Sequence, residues 1–300
     1  MDCNEINFHI SFALFTKENY FSAKEFCNCM KNIFYCLLLF SNVAFAAFEL
    51  RTPSPRYNIF GGGFSAVTGD VWCFASNPAV LASISSRAVA VAYSPQLLGV
   101  KELASSSGCV VLPIQNFGTL SAGVRSFGFE LYRELTSTVS FAKTFDEFSL
   151  GFNINYYTLT IQRYQSDGAI GIDLGAQISP VEHLSFGFDI TNINAPTIAK
   201  KEERLPQVFS LGIGYMPAQS VLLTAGLEKD VRFDVAATIG IEYIPIDELV
   251  LRCGVQNAPS LFNGGFGIVL GDYSVDYTAT SHSVLGITHY LSLAMRWGDD

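Results

Sequence analysis

EYIPIDELVLRCG, residues 242–254, holds two short alternating runs on either side of a proline. Upstream, TIGIEY (238–243) sets Ile239, Ile241 and Tyr243 against Thr238, Gly240 and Glu242. Downstream, LVLRCGV (249–255) sets Leu249, Leu251, Cys253 and Val255 against Val250, Arg252 and Gly254. Period two with one apolar face is the mark of a β-strand. The same plan recurs in QISPVEHLSFGF (177–188) and GYMPAQSVLLTAG (214–226). Pro180, Pro217 and Pro245 fix φ and lack an N–H, so each is expected to stop its ladder in a tight turn. Pro217 and Pro245 lie 28 residues apart, the span of one up-and-down hairpin.

Working outward from these turns, strands are expected to start near residues 86, 106, 117, 130, 147, 169, 183, 206, 220, 235, 248, 261, 272 and 286. That is an even number, as single-chain bacterial barrels have. The face opposite the apolar residues is built of Gly, Ser, Thr, Asp and Glu with few Lys, a composition suited to a crowded polar lumen. The two long connections fall near 96–105 and 193–205. The KKEER run at 200–204 reads as a solvated loop. If the proline turns face the periplasm, the first strand rises from that side and the last, HYLSLAMRWG (289–298), returns to it. Its alternation toward Trp297 resembles the C-terminal signal of outer-membrane barrels.

Composition agrees with a wall of strands in lipid. The chain is 49% hydrophobic with a mean hydropathy of +0.30, yet only 15% of it is charged. A soluble surface carries about 25–35% charge. A barrel dilutes its apolar residues by alternation, so no membrane-helix-length run is needed. The formal charge of −9 argues against nucleic acid as a partner.

MKNIFYCLLLFSNVAFA (30–46) has the three parts of a secretory signal peptide: Lys31, an apolar core at 33–40, and the small-x-small site Ala44-Phe45-Ala46. Residues 1–29 then read as an upstream extension from a mis-called start codon, and the mature chain begins near Ala47. Of 7 cysteines, only Cys73, Cys109 and Cys253 follow that point. They are too few and too scattered for a disulfide framework. Cys27 and Cys29 have no partner ligands at metal-site spacing, and no metal or cofactor is expected.

Residues 60–82, FGGGFSAVTGDVWCFASNPAVLA, do not alternate. With Asn77-Pro78-Ala79 they resemble the N-terminal segment of the FadL-like outer-membrane barrels, where an NPA motif sits in a small hatch inside a fourteen-stranded barrel. The AGLEKD (225–230) and VLGITH (284–289) stretches, with the LPQVFSLGIGYMP run before them, resemble the PorV/PorQ branch of that superfamily. The resemblance spans about 55–297. It implies an all-β, 14-stranded antiparallel transmembrane barrel, with residues 47–85 as the hatch and 86–298 as the barrel. It further implies an outer-membrane location, lipid contact and no catalysis. Some members of the branch work with secretion-apparatus proteins and exported cargo, whereas FadL passes hydrophobic molecules through a hatch and a lateral opening. A third alternative is a soluble periplasmic β-protein.

The best enzyme lead is Ser281-His282-Ser283 with His289 nearby. Neighbours in a strand point to opposite sides and no orienting acid lies close in sequence, so a turn explains these residues better. Gly61-Gly62-Gly63 lacks the strand, helix and Lys of a phosphate loop. The informative polar groups are those that parity turns inward: Asp173, Asp189, Glu228, Glu242, Arg252, Asp276 and Arg296. A basic residue facing lipid at mid-depth costs roughly 2–4 kcal/mol, so these are expected to line or fill the lumen.

Overall fold

A strand with one apolar and one small or polar face can stand between lipid and a packed interior, and the fourteen wall strands here have those two faces. The structure is a computed structural model that describes residues 47–49, 54–97, 99–163, 166–199 and 203–298. The leader at 30–46, the extension at 1–29 and Cys27 and Cys29 lie outside the described residues.

The wall runs through β1 (Arg87–Ser94), β2 (Ser105–Ile114), β3 (Gly118–Phe129), β4 (Tyr132–Phe145), β5 (Phe148–Ile161), β6 (Asp167–Val181) and β7 (Leu184–Thr191). A small hairpin of β8 (Thr197–Ile198) and β9 (Glu203–Arg204) follows. The wall resumes with β10 (Val208–Ala218), β11 (Val221–Asp230), β12 (Ala236–Ile246), β13 (Leu249–Gln256), β14 (Leu261–Leu270), β15 (Tyr273–His282) and β16 (Gly286–Trp297). Each wall strand pairs antiparallel with the next, and β1 pairs with β16 to close the barrel. The strand starts agree with the sequence expectation to within two residues.

The six connections at the end shared by the start of β1 and the end of β16 are all tight: 115–117, 146–147, 182–183, 219–220, 247–248 and 271–272. The opposite end carries the longer ones, 95–104 and 192–207. Short turns on the periplasmic side and longer loops outside are the rule for outer-membrane barrels.

The three prolines behave differently from expectation. The ladders do not stop at them. In each case the register shifts across the proline, between Ile178 and Val181, Tyr215 and Ala218, and Tyr243 and Ile246, and the strand then continues. A bulge leaves one residue out of the ladder, so a residue without an N–H sits there at little cost.

The outer wall is apolar. Val91, Val139, Ile154, Ile172, Leu211, Ile239, Val255 and Leu293 are all exposed. Exposed aromatics gather toward the two rims, with Phe145, Phe148, Tyr215, Tyr243, Tyr273 and Trp297 at the short-turn end. Tyr93, Tyr156, Phe209, Phe233 and Phe262 lie toward the long-loop end. Such girdles flank the lipid-facing band of transmembrane barrels. A soluble β-protein would need a polar outer face instead.

The interior is filled by the segment before β1. Helix α1 (Pro55–Phe60), whose Ser54 cap accepts the Tyr57 N–H, packs against β11 to β16. The 3-10 turn Gly61–Ala66 lies on β7 and β10 to β12, and the 3-10 turn Pro78–Ser83 lies on β3 to β6. Ile59, Phe60, Phe64, Val67, Trp72, Val80 and Leu81 form one buried cluster with Ala88, Ala90 and Ala92 of β1.

Glycines make room for this plug. A Cβ on Gly151 of β5 would lie 2.5 Å from the Ala79 nitrogen, and one on Gly240 of β12 would lie 2.5 Å from the Phe60 ring. On Gly187 it would strike the Ser65 carbonyl, on Gly226 the Gly63 nitrogen, and on Gly254 the Ile59 carbonyl. From the plug side, a Cβ on Gly62 would lie 2.6 Å from the Leu227 carbonyl. The triglycine is therefore a place where two backbones meet.

Candidate functional site: the plugged lumen

Parity along β12 and β13 turns Glu242 and Arg252 to the inner face, and the turn at 247–248 together with the bulge at Pro245 sets them directly opposite each other. Arg252 Nε donates to Glu242 Oε2 at 2.6 Å. Arg252 Nη1 also reaches Asp276 of β15. From the plug, Arg56 grips the same carboxylate with two parallel bonds, Nε to Oε2 and Nη2 to Oε1, each 2.8 Å. Arg56 Nη1 lies 3.8 Å from Asp70 of the plug. A bidentate guanidinium–carboxylate pair fixes orientation as well as charge. Burial pushes the Asp70 carboxyl above its usual range, and Arg56 opposes that rise.

The remaining inward residues also meet the plug, directly or through one partner. Ser65 Oγ donates to Asp189, which is 0% exposed. Tyr57 OH donates to Glu228 Oε2 at 3.0 Å. Asp173 accepts from Asn153 Nδ2 at 2.9 Å, from Asn155 Nδ2 at 2.7 Å and from the Asn192 N–H at 2.8 Å. Asn153 also reaches the Phe74 carbonyl of the plug at 2.7 Å. Arg296 sits at the exposed rim and donates to the Gly69 carbonyl at 2.6 Å.

Asn77-Pro78-Ala79 joins the plug to the wall. Asn77 Oδ1 accepts the Ala79 N–H at 3.0 Å and so caps the 3-10 turn, with Pro78 at its first position. Asn77 Nδ2 donates to the Ser65 carbonyl at 2.7 Å and the Ala176 carbonyl of β6 at 3.0 Å. One side chain thus caps a turn, ties two parts of the plug and anchors both to a strand.

The histidines stand apart from this network. His282 Nδ1 accepts the amide N–H groups of Val284 and Leu285 at 3.1 and 3.2 Å, which makes it a turn residue. His289 Nδ1 meets the Tyr277 hydroxyl at 2.7 Å.

Cavities between plug and wall differ in size and lining. One of about 50 Å³ lies between Trp72 and Phe74 of the plug and Arg125, Asn155 and Tyr157 of the wall. One of about 150 Å³ is lined by Arg56, Asp70, Glu242, Arg252 and Asp276. Another, of about 160 Å³, lies beside Arg56 and Ser185. A vestibule of about 920 Å³ opens at the short-turn end, between Ile84, Arg87, Pro113 and Lys143.

Sequence reasoning did not find Arg56, Tyr57, Ser65 or Asp70. They lie in a segment without period, where no parity assigns a face. Their one local signal is that polar side chains recur in a stretch otherwise rich in Gly and aromatics.

No protein-family model matches the chain, and no curated protein matches it. Solved structures do. The monoaromatic hydrocarbon channel TodX, as a deletion mutant, superposes with a TM-score of 0.63 at 11% identity, over 83% of this chain and 100% of that one. The Pseudomonas putida toluene transporter TodX gives 0.58 at 10% identity, over 83% and 98%. A Pseudomonas aeruginosa FadL homologue gives 0.55 at 13% identity, over 78% and 95%. At these identities the likeness is one of fold: this chain has the fold of the FadL-type barrels.

Proposed function

We propose that the chain is a non-enzymatic outer-membrane barrel that acts as a PorV/PorQ-like accessory of protein secretion or surface export, presenting its loops to secretion-apparatus proteins or cargo. The observation that carries this reading is the closed, charge-locked lumen: Arg56 binds the plug to Glu242, and Glu242 is bound in turn to Arg252. An engineered apolar cavity of ~150 Å³ holds a benzene molecule. The aromatic-lined cavity here is about 50 Å³, one of about 150 Å³ is lined by ions, and one of about 160 Å³ joins Val67, Met216 and Leu222 to Arg56 and Glu242. A solute path would require the plug to leave its place.

The alternative is a FadL-type transporter of small hydrophobic molecules. It is favoured by the fold likeness to hydrocarbon channels and by the aromatic lining of Phe48, Trp72, Phe74 and Tyr157. One pair of measurements separates the two. Affinity purification of the tagged barrel from outer membranes should recover exported proteins or secretion components, while proteoliposomes take up toluene no faster than empty vesicles. Saturable uptake without any protein partner would establish the alternative.

A further inference from the structure

We propose that Glu203 is the receptor for the α-ammonium group that leader cleavage creates at Ala47, so that processing completes the seating of the chain's leading end in the barrel. The proposal rests on the export reading, which puts the cleavage site after Ala46. Two independent observations meet at one residue: the small-x-small motif ends at Ala46, and the fold buries the residue that follows. Ala47 and Phe48 are each 3% exposed. The Ala47 nitrogen lies 2.5 Å from Glu203 Oε1, across 156 residues of sequence. The Glu134 carboxylate of β4, 5% exposed, faces the Phe48 backbone amide and also accepts the Tyr132 hydroxyl at 2.6 Å.

Phe48 sets the depth of this end. Its ring meets Tyr157 edge-on, with centroids 4.9 Å apart, inside a cluster of Leu159, Ala169, Ile198 and Leu205. Its φ of 65° is an uncommon conformation for a bulky residue. Such a conformation persists where the surroundings over-determine it.

The described surroundings of Ala47 are rich in carboxylates. Glu49, Glu134, Glu203 and Asp230 gather at this end, while Arg232 and Arg125 are the guanidiniums that act on them. A peptide N–H at Ala47 adds a donor without charge. Hydrolysis of the Ala46–Ala47 bond by water leaves a carboxylate on Ala46 and an amine on Ala47, which takes up a proton. An α-amine titrates near ~8, so it is charged at neutral pH and offers three donors.

The test uses the full chain with its own leader, extracted from outer membranes in detergent. Mass spectrometry first reads the N-terminus, and an α-amine-selective aldehyde then labels folded and denatured protein. The expected results are a start at Ala47 and labelling roughly tenfold slower in the folded state, as for a site reached only by local opening. Glu203→Gln should bring the folded rate close to the denatured one. A start elsewhere would overturn the processing reading and the proposal with it. A start at Ala47 with an amine as reactive folded as denatured would leave processing intact and overturn the receptor. If Glu203→Gln labels as slowly as wild type, Glu203 is not the partner. Should that variant fail to fold, a glycine inserted after Ala46 serves instead: its displaced amine should label freely, and equal protection would overturn the proposal.

Discussion

Glu242 of β12 takes hydrogen bonds from two arginines at once: Arg252 directly opposite on β13, at 2.6 Å, and Arg56 from the plug, through two arms of 2.8 Å. The carboxylate is therefore the joint between wall and plug, and its removal leaves Arg252 with Asp276 and Arg56 with the more distant Asp70. Glu242→Ala is expected to cost about 3–5 kcal/mol, the range for breaking a buried pair. Arg252→Ala should cost less at Glu242, which keeps Arg56, but it also leaves Asp276 without this partner. A double-mutant cycle of Glu242 with Arg56, and another with Arg252, measured by denaturant unfolding in detergent, should each show coupling. Additive losses in both cycles would show that the three residues do not act together.

The glycine contacts yield a sharper contrast. Gly187→Ala and Gly226→Ala would each place a methyl group against plug backbone, whereas a Cβ on Gly264 meets nothing within 4 Å. The first two should lose about 1–3 kcal/mol by overpacking. Gly264→Ala should stay within about 0.5 kcal/mol of wild type. Limited proteolysis at 54–84 checks the cause, because a displaced plug becomes cleavable while the barrel stays intact. Equal protection in all three variants would remove the cradle role.

Asn77 combines a cap with two cross-links. Asn77→Ala is expected to cost about 1–3 kcal/mol, since it removes the donor to the buried Ser65 carbonyl and to the Ala176 carbonyl of β6. Asn77→Asp keeps the cap acceptor but cannot donate to those carbonyls, so it should recover only part of the loss. Thermal unfolding of the two variants side by side reads the difference, and full recovery by Asp would assign the whole effect to the cap.

Lipid contact can be tested on the outer face. Ile154 is 51% exposed in the middle of β5, and Val284 is 82% exposed in the β15–β16 turn. Ile154→Arg should destabilise the barrel by about 2–4 kcal/mol in a bilayer, and Val284→Arg by about 0–1 kcal/mol. Refolding into liposomes across a denaturant series measures both. Equal costs would argue against a membrane around β5.

Strand number, facing and the Glu242–Arg252 opposition were all legible in the chain because each is local. Alternation has a period of two residues, and a turn centred near Asp247 sets residues ten apart face to face; in the fold that register comes from the two-residue turn together with the one-residue bulge at Pro245. The proline turns were legible as positions but not as bulges, because whether a ladder ends or skips depends on the partner strand. The plug was legible only as a stretch without alternation. Its partners lie as far as 227 residues away, as between Arg296 and the Gly69 carbonyl, and only closure of the wall brings them together. For the same reason Arg56 and Asp70 carried no sign of their role, the inner glycines read as a small face and not as a cradle, and Glu203 read as part of a solvated charge run. Periodic segments carry their own geometry. A segment without period takes its geometry from the surface it packs against, and that surface exists only once fourteen strands have closed.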